Sequence, residues 1–113
     1  MPRRRTSPLD PAFVQLTLAA VGLEFGMPQL CEPGLGRRTK QLVFARQVAM
    51  YLAATGFNMT TTRTAELFER DRSTVSHALG VVEDSRDDAV FNRKLEKVER
   101  FLDACRENFG AAT

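Results

Sequence analysis

The feature that most constrains this chain is a three-residue corner, Glu69-Arg70-Asp71, set between two short helical patterns. The first pattern runs from about Thr61 to Phe68. The second begins near Arg72 and carries Ser73, Thr74, Ser76 and His77 in its opening turns. Hydroxyl side chains compete for backbone hydrogen bonds and lower helix propensity, so a concentration of them at a helix start calls for caps or for partners outside the helix. An apolar stripe at Val75, Leu79 and Val82 supplies the inner face. Two helices joined this closely fit a helix-turn-helix, whose second helix offers its N-terminal residues to base edges.

The other segments read as helices that support this pair. Met1 to Pro8 is a basic arm with Arg3-Arg4-Arg5 and no apolar periodicity, expected to be disordered. It serves either as a solubilising terminus or as an arm on phosphates or a minor groove. Residues 9–110 then form one domain, as the length allows. Asp10 as N-cap and Pro11 at the first helical position open a helix reaching about Leu23, with Phe13, Leu16, Ala20 and Leu23 as its core face. Gly26 to Gly36 is a loop in which Met27 and Leu30 pack down. Thr39 caps the next helix, which carries Leu42, Ala45, Val48, Ala49, Leu52 and Ala53 inward and ends with Gly56 at the C′ position. Arg37, Arg38 and Lys40 crowd its start, unfavourably against the helix dipole, so a phosphate backbone is one natural compensation. Glu83 to Asp88 reads as an acidic hinge. Asp87 or Asp88 then caps a last helix from about Ala89 to Asn108, with Phe91, Leu95, Val98, Leu102 and Cys105 on one face and Glu96 and Arg100 spaced to pair. No alternating strand pattern occurs, so the fold class is all-α with about five helices.

Charge and composition narrow the chemistry. Residues 1–82 carry ten basic and six acidic side chains, a balance of +4, while residues 83–113 carry six and eight, a balance of −2. The positive part holds the arm and the helix-turn-helix, which suits an anionic partner. His77 is the only histidine, which argues against a zinc site. Ser73 and His77, four apart, have no orienting acid or oxyanion site, and no paired carboxylates occur in a cleft-like context, so no triad, acid/base pair or cofactor is expected. Cys31 and Cys105 belong to no CxxC pattern. Reduced thiols are the expectation, with a disulfide between them as the alternative. No apolar run approaches 18 residues, and no apolar segment follows the basic terminus as in a secretory signal, so a cytoplasmic, nucleoid-associated protein is expected.

With the helices placed, the run from Arg37 to about Glu83 resembles the C-terminal DNA-binding domain (domain IV) of the bacterial replication initiator DnaA. Arg46-Gln47-Val48-Ala49-Met50-Tyr51-Leu52-Ala53 resembles that family's RQxAMxLA helix. Arg70-Asp71-Arg72-Ser73-Thr74-Val75-Ser76-His77-Ala78 resembles its GGRDHTTVLHA recognition motif. The flanking helices follow the family's order, so the similarity extends over roughly Pro11 to Phe109. The resemblance implies a Trp-repressor-like helix-turn-helix fold and double-stranded DNA as partner.

It also implies roles for particular residues. Arg46 matches the arginine that enters the minor groove. Asp71, Arg72, Ser73, Thr74, His77 and Ala78 match the positions at the bases, and Arg37, Arg38, Lys40 and Arg70 the basic positions beside the phosphates. The chemistry suits those roles: a carboxylate accepts from cytosine N4, hydroxyls and small apolar groups meet thymine, and cations meet phosphates. The sequence departs from the family pattern at four places. Arg72 replaces a histidine, which shifts base preference toward guanine. Glu69 stands where the family has a pair of glycines, Phe44 where it often has arginine, and Gly80-Val81 where it has Arg-Lys. The phosphate loop of the initiator's ATPase is absent from the sequence. The implied function is a sequence-specific regulator of replication initiation or transcription that reads initiator-type boxes. The alternative is a protein-interaction module acting on the initiator or its Hda-type inactivator, with Phe44, Gly80 and Val81 as partner surface. Neither membrane nor small-molecule substrate is implied.

Overall fold

Helix α2, Lys40–Gly56, is the axis on which the other helices pack. In the computed structural model, residues 6–31 and 39–110 are described. Among them lie α1 (Asp10–Glu24), a short 3-10 turn (Pro28–Cys31), α2, α3 (Thr61–Phe68), α4 (Arg72–Ser85) and α5 (Ala89–Gly110), with no strand. None of these helices is long and apolar enough to cross a membrane.

Helix α2 can take this position because it is buried on most of its circumference. Leu42, Ala45, Val48, Ala49, Met50, Tyr51, Leu52 and Ala53 are all inside. The alanines let neighbours approach closely, and Val48 and Leu52 fill the spaces between them. Thr39 caps its start as expected, Oγ1 accepting from the Leu42 amide at 3.1 Å. Its end differs from expectation. Gly56 remains helical, Phe57 is the C-cap, and the left-handed residue is Asn58 at φ 54°. Phe57 turns inward to stack on Phe13 at 4.3 Å between ring centroids, which draws the helix past the glycine.

Helix α1 packs with Phe13, Leu16 and Ala20 against the core as expected, but its most buried residues lie beside that row and Leu23 falls off it. Val14, Thr17 and Val21 are buried, whereas Leu23 is 78% exposed. Helix α1 is apolar around most of its surface, so periodicity alone does not select a face. Thr17 is accommodated because its hydroxyl donates to the Phe13 carbonyl at 2.7 Å. Asp10 is not the N-cap either. Leu9 holds that position, and Asp10 is a fully buried first-turn residue. Met27 and Leu30 fold down on α1 as expected, and Gly22 permits it: a Cβ there would lie 2.7 Å from the Met27 carbonyl oxygen.

Helix α5 covers the bundle with Leu95, Val98 and Leu102 buried, its expected stripe. Asp88 caps it, Oδ1 accepting from the Val90 and Phe91 amides. Phe91 meets Phe44 at 5.3 Å and Phe25 at 5.8 Å, joining α2, α1 and α5 through aromatic edges. Glu96 accepts from Asn92 at 3.4 Å, a neighbour other than the expected Arg100.

The segment read as an acidic hinge is a junction. Helix α4 continues to Ser85, and Arg86 follows it. The Arg86 guanidinium donates to both Glu99 oxygens at 3.0 and 3.1 Å, to the Tyr51 hydroxyl at 3.0 Å and to Asn92 Oδ1 at 2.7 Å. Tyr51 in turn donates to Glu83 Oε2 at 2.7 Å. One cation therefore binds the end of α4 to α2 and α5. The paired Glu99 carboxylate holds the guanidinium in its charged form. Burial, with the Glu83 hydrogen bond, raises the Tyr51 phenol above its ordinary value.

Candidate nucleic-acid interface

Helices α3 and α4 are held at their angle by a small core of their own. Met50 from α2, Ala65 from α3, and Val75 and Ala78 from α4 are buried together, with Phe68 and Leu79 against them. Thr60, rather than a residue inside the helix, caps α3, Oγ1 accepting from the Arg63 amide at 3.0 Å. The corner then closes through the Arg70 amide, which donates to the Ala65 carbonyl at 2.9 Å. Glu69 adopts the left-handed conformation at φ 54°.

That conformation explains the glycine expected at this corner. A side chain in the left-handed region costs about 1 kcal/mol, which glycine avoids. Glu69→Gly is therefore expected to raise stability by about 0.5–1 kcal/mol, read as a higher denaturant midpoint at unchanged slope. A lowered midpoint would mean that the Glu69 side chain stabilises the corner by some other contact.

Helix α4 presents the predicted base-facing residues selectively. Arg72, Ser73, Thr74, Ser76, His77 and Gly80 are exposed, and Val75, Ala78 and Val82 face inward. Ala78 corrects the sequence expectation: it is 0% exposed and cannot reach a base edge. It lies three residues from Val75 and four from Val82, on the inner stripe of the helix. Asp71 is the N-cap residue of α4, but its carboxylate makes no capping hydrogen bond. The group is exposed and available to accept from an outside donor.

The described cationic residues of the expected site lie in the corner and on α2. Arg70 and Lys40 are exposed, Arg70 in the corner and Lys40 in the first turn of α2. Arg46 is half-buried, one helical turn before Met50 and so on the α2 face that runs toward the helix-turn-helix core. Arg37 and Arg38 lie outside the described residues. The corner itself is acidic. Glu66, Glu69 and Asp71 line one shallow depression with Ala65, Arg70 and Thr74. Such a lining disfavours phosphates and suits a donor such as a base amino group.

Two of the family departures have distinct structural consequences. Phe44 is a packing residue against Phe91, which accounts for its aromatic side chain. Gly80 is exposed on the outer face of α4, with open space where a side chain would stand. Gly80→Lys is thus sterically open. It is expected to steepen the salt dependence of DNA binding by about 0.9 in log–log slope and to stabilise the helix by up to about 1 kcal/mol. An unchanged slope in a salt titration would place Gly80 away from the backbone.

Sequence reasoning missed two residues that position this surface. Arg86 anchors the far end of α4, and Arg63 ties α3 to the buried Asp10, Nε to Oδ2 at 3.1 Å. Neither pairing leaves a local sequence signal, since Asp10 and Arg63 are 53 positions apart and Arg86 lies 35 from Tyr51 and 13 from Glu99.

Residues 35–82 match the family model of the bacterial DnaA protein helix-turn-helix. No curated protein and no solved structure matches the chain.

Proposed function

From the premise that residues 35–82 are a relative of the bacterial DnaA helix-turn-helix, we propose that this protein binds double-stranded DNA sequence-specifically and regulates replication initiation or transcription. In this reading Asp71, Arg72, Ser73, Thr74 and His77 meet base edges in the major groove. Arg46 enters the minor groove, and Lys40, Arg70, Arg37 and Arg38 contact phosphates. The observation that carries the reading is the exposed polar face of α4, from Arg72 through His77, set on a buried Met50–Ala65–Val75–Ala78 base. A surface helix with no partner needs no such run of hydroxyls, a cation and an uncapped carboxylate at its start.

The second reading is a module that engages the initiator or its inactivator without specific DNA contact. Phe44 was one of three residues favouring it, and the contact with Phe91 gives Phe44 a packing role. Gly80 and Val81 remain for that reading. Selection from a random duplex pool separates the two. The DNA reader enriches one motif, with guanine favoured opposite Arg72, and a pool that stays random after repeated capture contradicts it.

A further inference from the structure

Helix α5 carries a second stripe that the bundle does not use. Val90, Lys94, Lys97, Phe101, Ala104 and Asn108 recur at alternating four- and three-residue spacing beside the buried row of Leu95, Val98 and Leu102, and all six are exposed. That spacing is the seam of a two-helix coiled coil. Phe101 is 49% exposed, and Leu23 of α1 is 78% exposed. The two border a depression of about 280 Å³ with Ala20, Val98, Glu24 and Lys97. Lys97 Nζ lies 3.4 Å from Glu24 Oε1, so the cation at the depression is already matched within the chain. One patch thus holds both protruding apolar side chains and a hollow to receive them, which is the self-complementarity that a two-fold interface requires.

The charges on α5 select the direction of pairing. Before Phe101 the exposed charges are Arg93, Lys94, Lys97 and Arg100 against Glu96. After it they are Asp103 and Glu107 against Arg106. An antiparallel pair lays the basic half of one helix along the acidic half of the other, where the carbonyl end of the helix also favours cations. A parallel pair would set like charges side by side. Arg93 and Glu107 stand seven residues either side of Arg100, and neither forms an ion pair among the described residues. A two-fold axis near Arg100 brings each Arg93 opposite Glu107 of the second copy. Glu96 and Asp103, one turn away on either side, offset the two arginines at the axis.

We propose that the exposed stripe of α5, with Leu23 of α1, is the interface between two copies of this chain, packed antiparallel about Phe101. The side chains of Leu23 and Phe101 from one copy fill the depression of the other. None of the residues assigned to DNA lies on α1 or α5, so the dimer interface and the base-facing residues are separate. A dimer brings two recognition helices to a duplex, where a single module buries only about 600–1,000 Å².

The test is sedimentation equilibrium of the full chain without DNA over a concentration series, so its outcome does not depend on the role of α4. The wild-type chain is expected to pass from monomer to dimer as concentration rises. Leu23→Glu and Phe101→Glu are each expected to stay monomeric across the series, with circular dichroism and melting temperature reporting that they fold. Leu23 is the more exposed of the two, so its variant serves if Phe101→Glu is unstable. Arg93→Glu and Glu107→Arg are each expected to weaken the dimer severalfold, and the combined R93E/E107R chain to recover it. A wild-type chain that is monomeric throughout overturns the proposal and leaves the depression to a different partner. A dimer that survives Leu23→Glu places the interface elsewhere and overturns it as well. A combined charge swap no tighter than the single variants overturns the antiparallel pairing.

Discussion

Arg86→Ala is expected to cost about 2–3 kcal/mol of stability, below the 3–5 typical of breaking a fully buried pair, because Arg86 and Glu99 keep 24% and 30% side-chain exposure. The loss has several sources. Glu99 loses a bidentate partner, and the Tyr51 hydroxyl and Asn92 each lose a donor. For a domain of this size that corresponds to a fall in melting temperature of about 10–20 °C. Thermal unfolding of the purified variant measures it. Adding Glu99→Met to an Arg86→Met background is expected to restore part of the loss, since no carboxylate is then left unpaired. A melting temperature within about 2 °C of wild type for Arg86→Ala would remove the junction from the account. The consequence reaches the interface because Arg86 closes the helix whose other end carries Arg72 to His77.

Thr74→Ala is expected to cost about 1–3 kcal/mol of binding on the selected site and far less on scrambled DNA. Thr74 is exposed at the start of α4 and shares the corner depression with Asp71 and Arg70. Its hydroxyl and methyl offer a hydrogen bond and an apolar contact to one base pair. Because the side chain is exposed, stability is expected to stay within about 0.5 kcal/mol of wild type. That separates a binding loss from unfolding. An equal loss on both duplexes would make Thr74 a backbone contact. No loss on either would take the start of α4 away from the bases.

The sequence carried the helices well where a single pattern dominated. The stripes of α2 and α5 are wide apolar faces interrupted by charge, and Thr39 and Asp88 cap where their spacing places them. Helix α1 resisted reading because its apolar residues surround it, so only the packed structure chooses Val14, Thr17 and Val21 over Leu23. Asp10 beside Pro11 looks like a local cap, but its buried carboxylate answers to Arg63 on a distant helix. Arg86 is hidden in the same way, since four acidic neighbours disguise a cation whose partners include Glu99 and Tyr51. At the candidate interface, motif resemblance placed the residues and helix register sorted them. The spacing of Val75, Ala78 and Val82 already implied that Ala78 points inward. Glu69 departs from the glycine of the family pattern in sequence, but its left-handed backbone is set by how the corner closes between α3 and α4.

Whether α4 reads base sequence is decided by a titration of the full chain. The duplexes are an initiator-type box, the same box with each base in turn opposite Arg72, and a scrambled control, all at two salt concentrations. At least one box variant is expected to bind about a hundredfold or more tighter than the scrambled duplex, with a ratio that persists as salt rises. Equal affinity for every duplex, fading together with salt, would contradict it and leave the helix-turn-helix without a base-reading role.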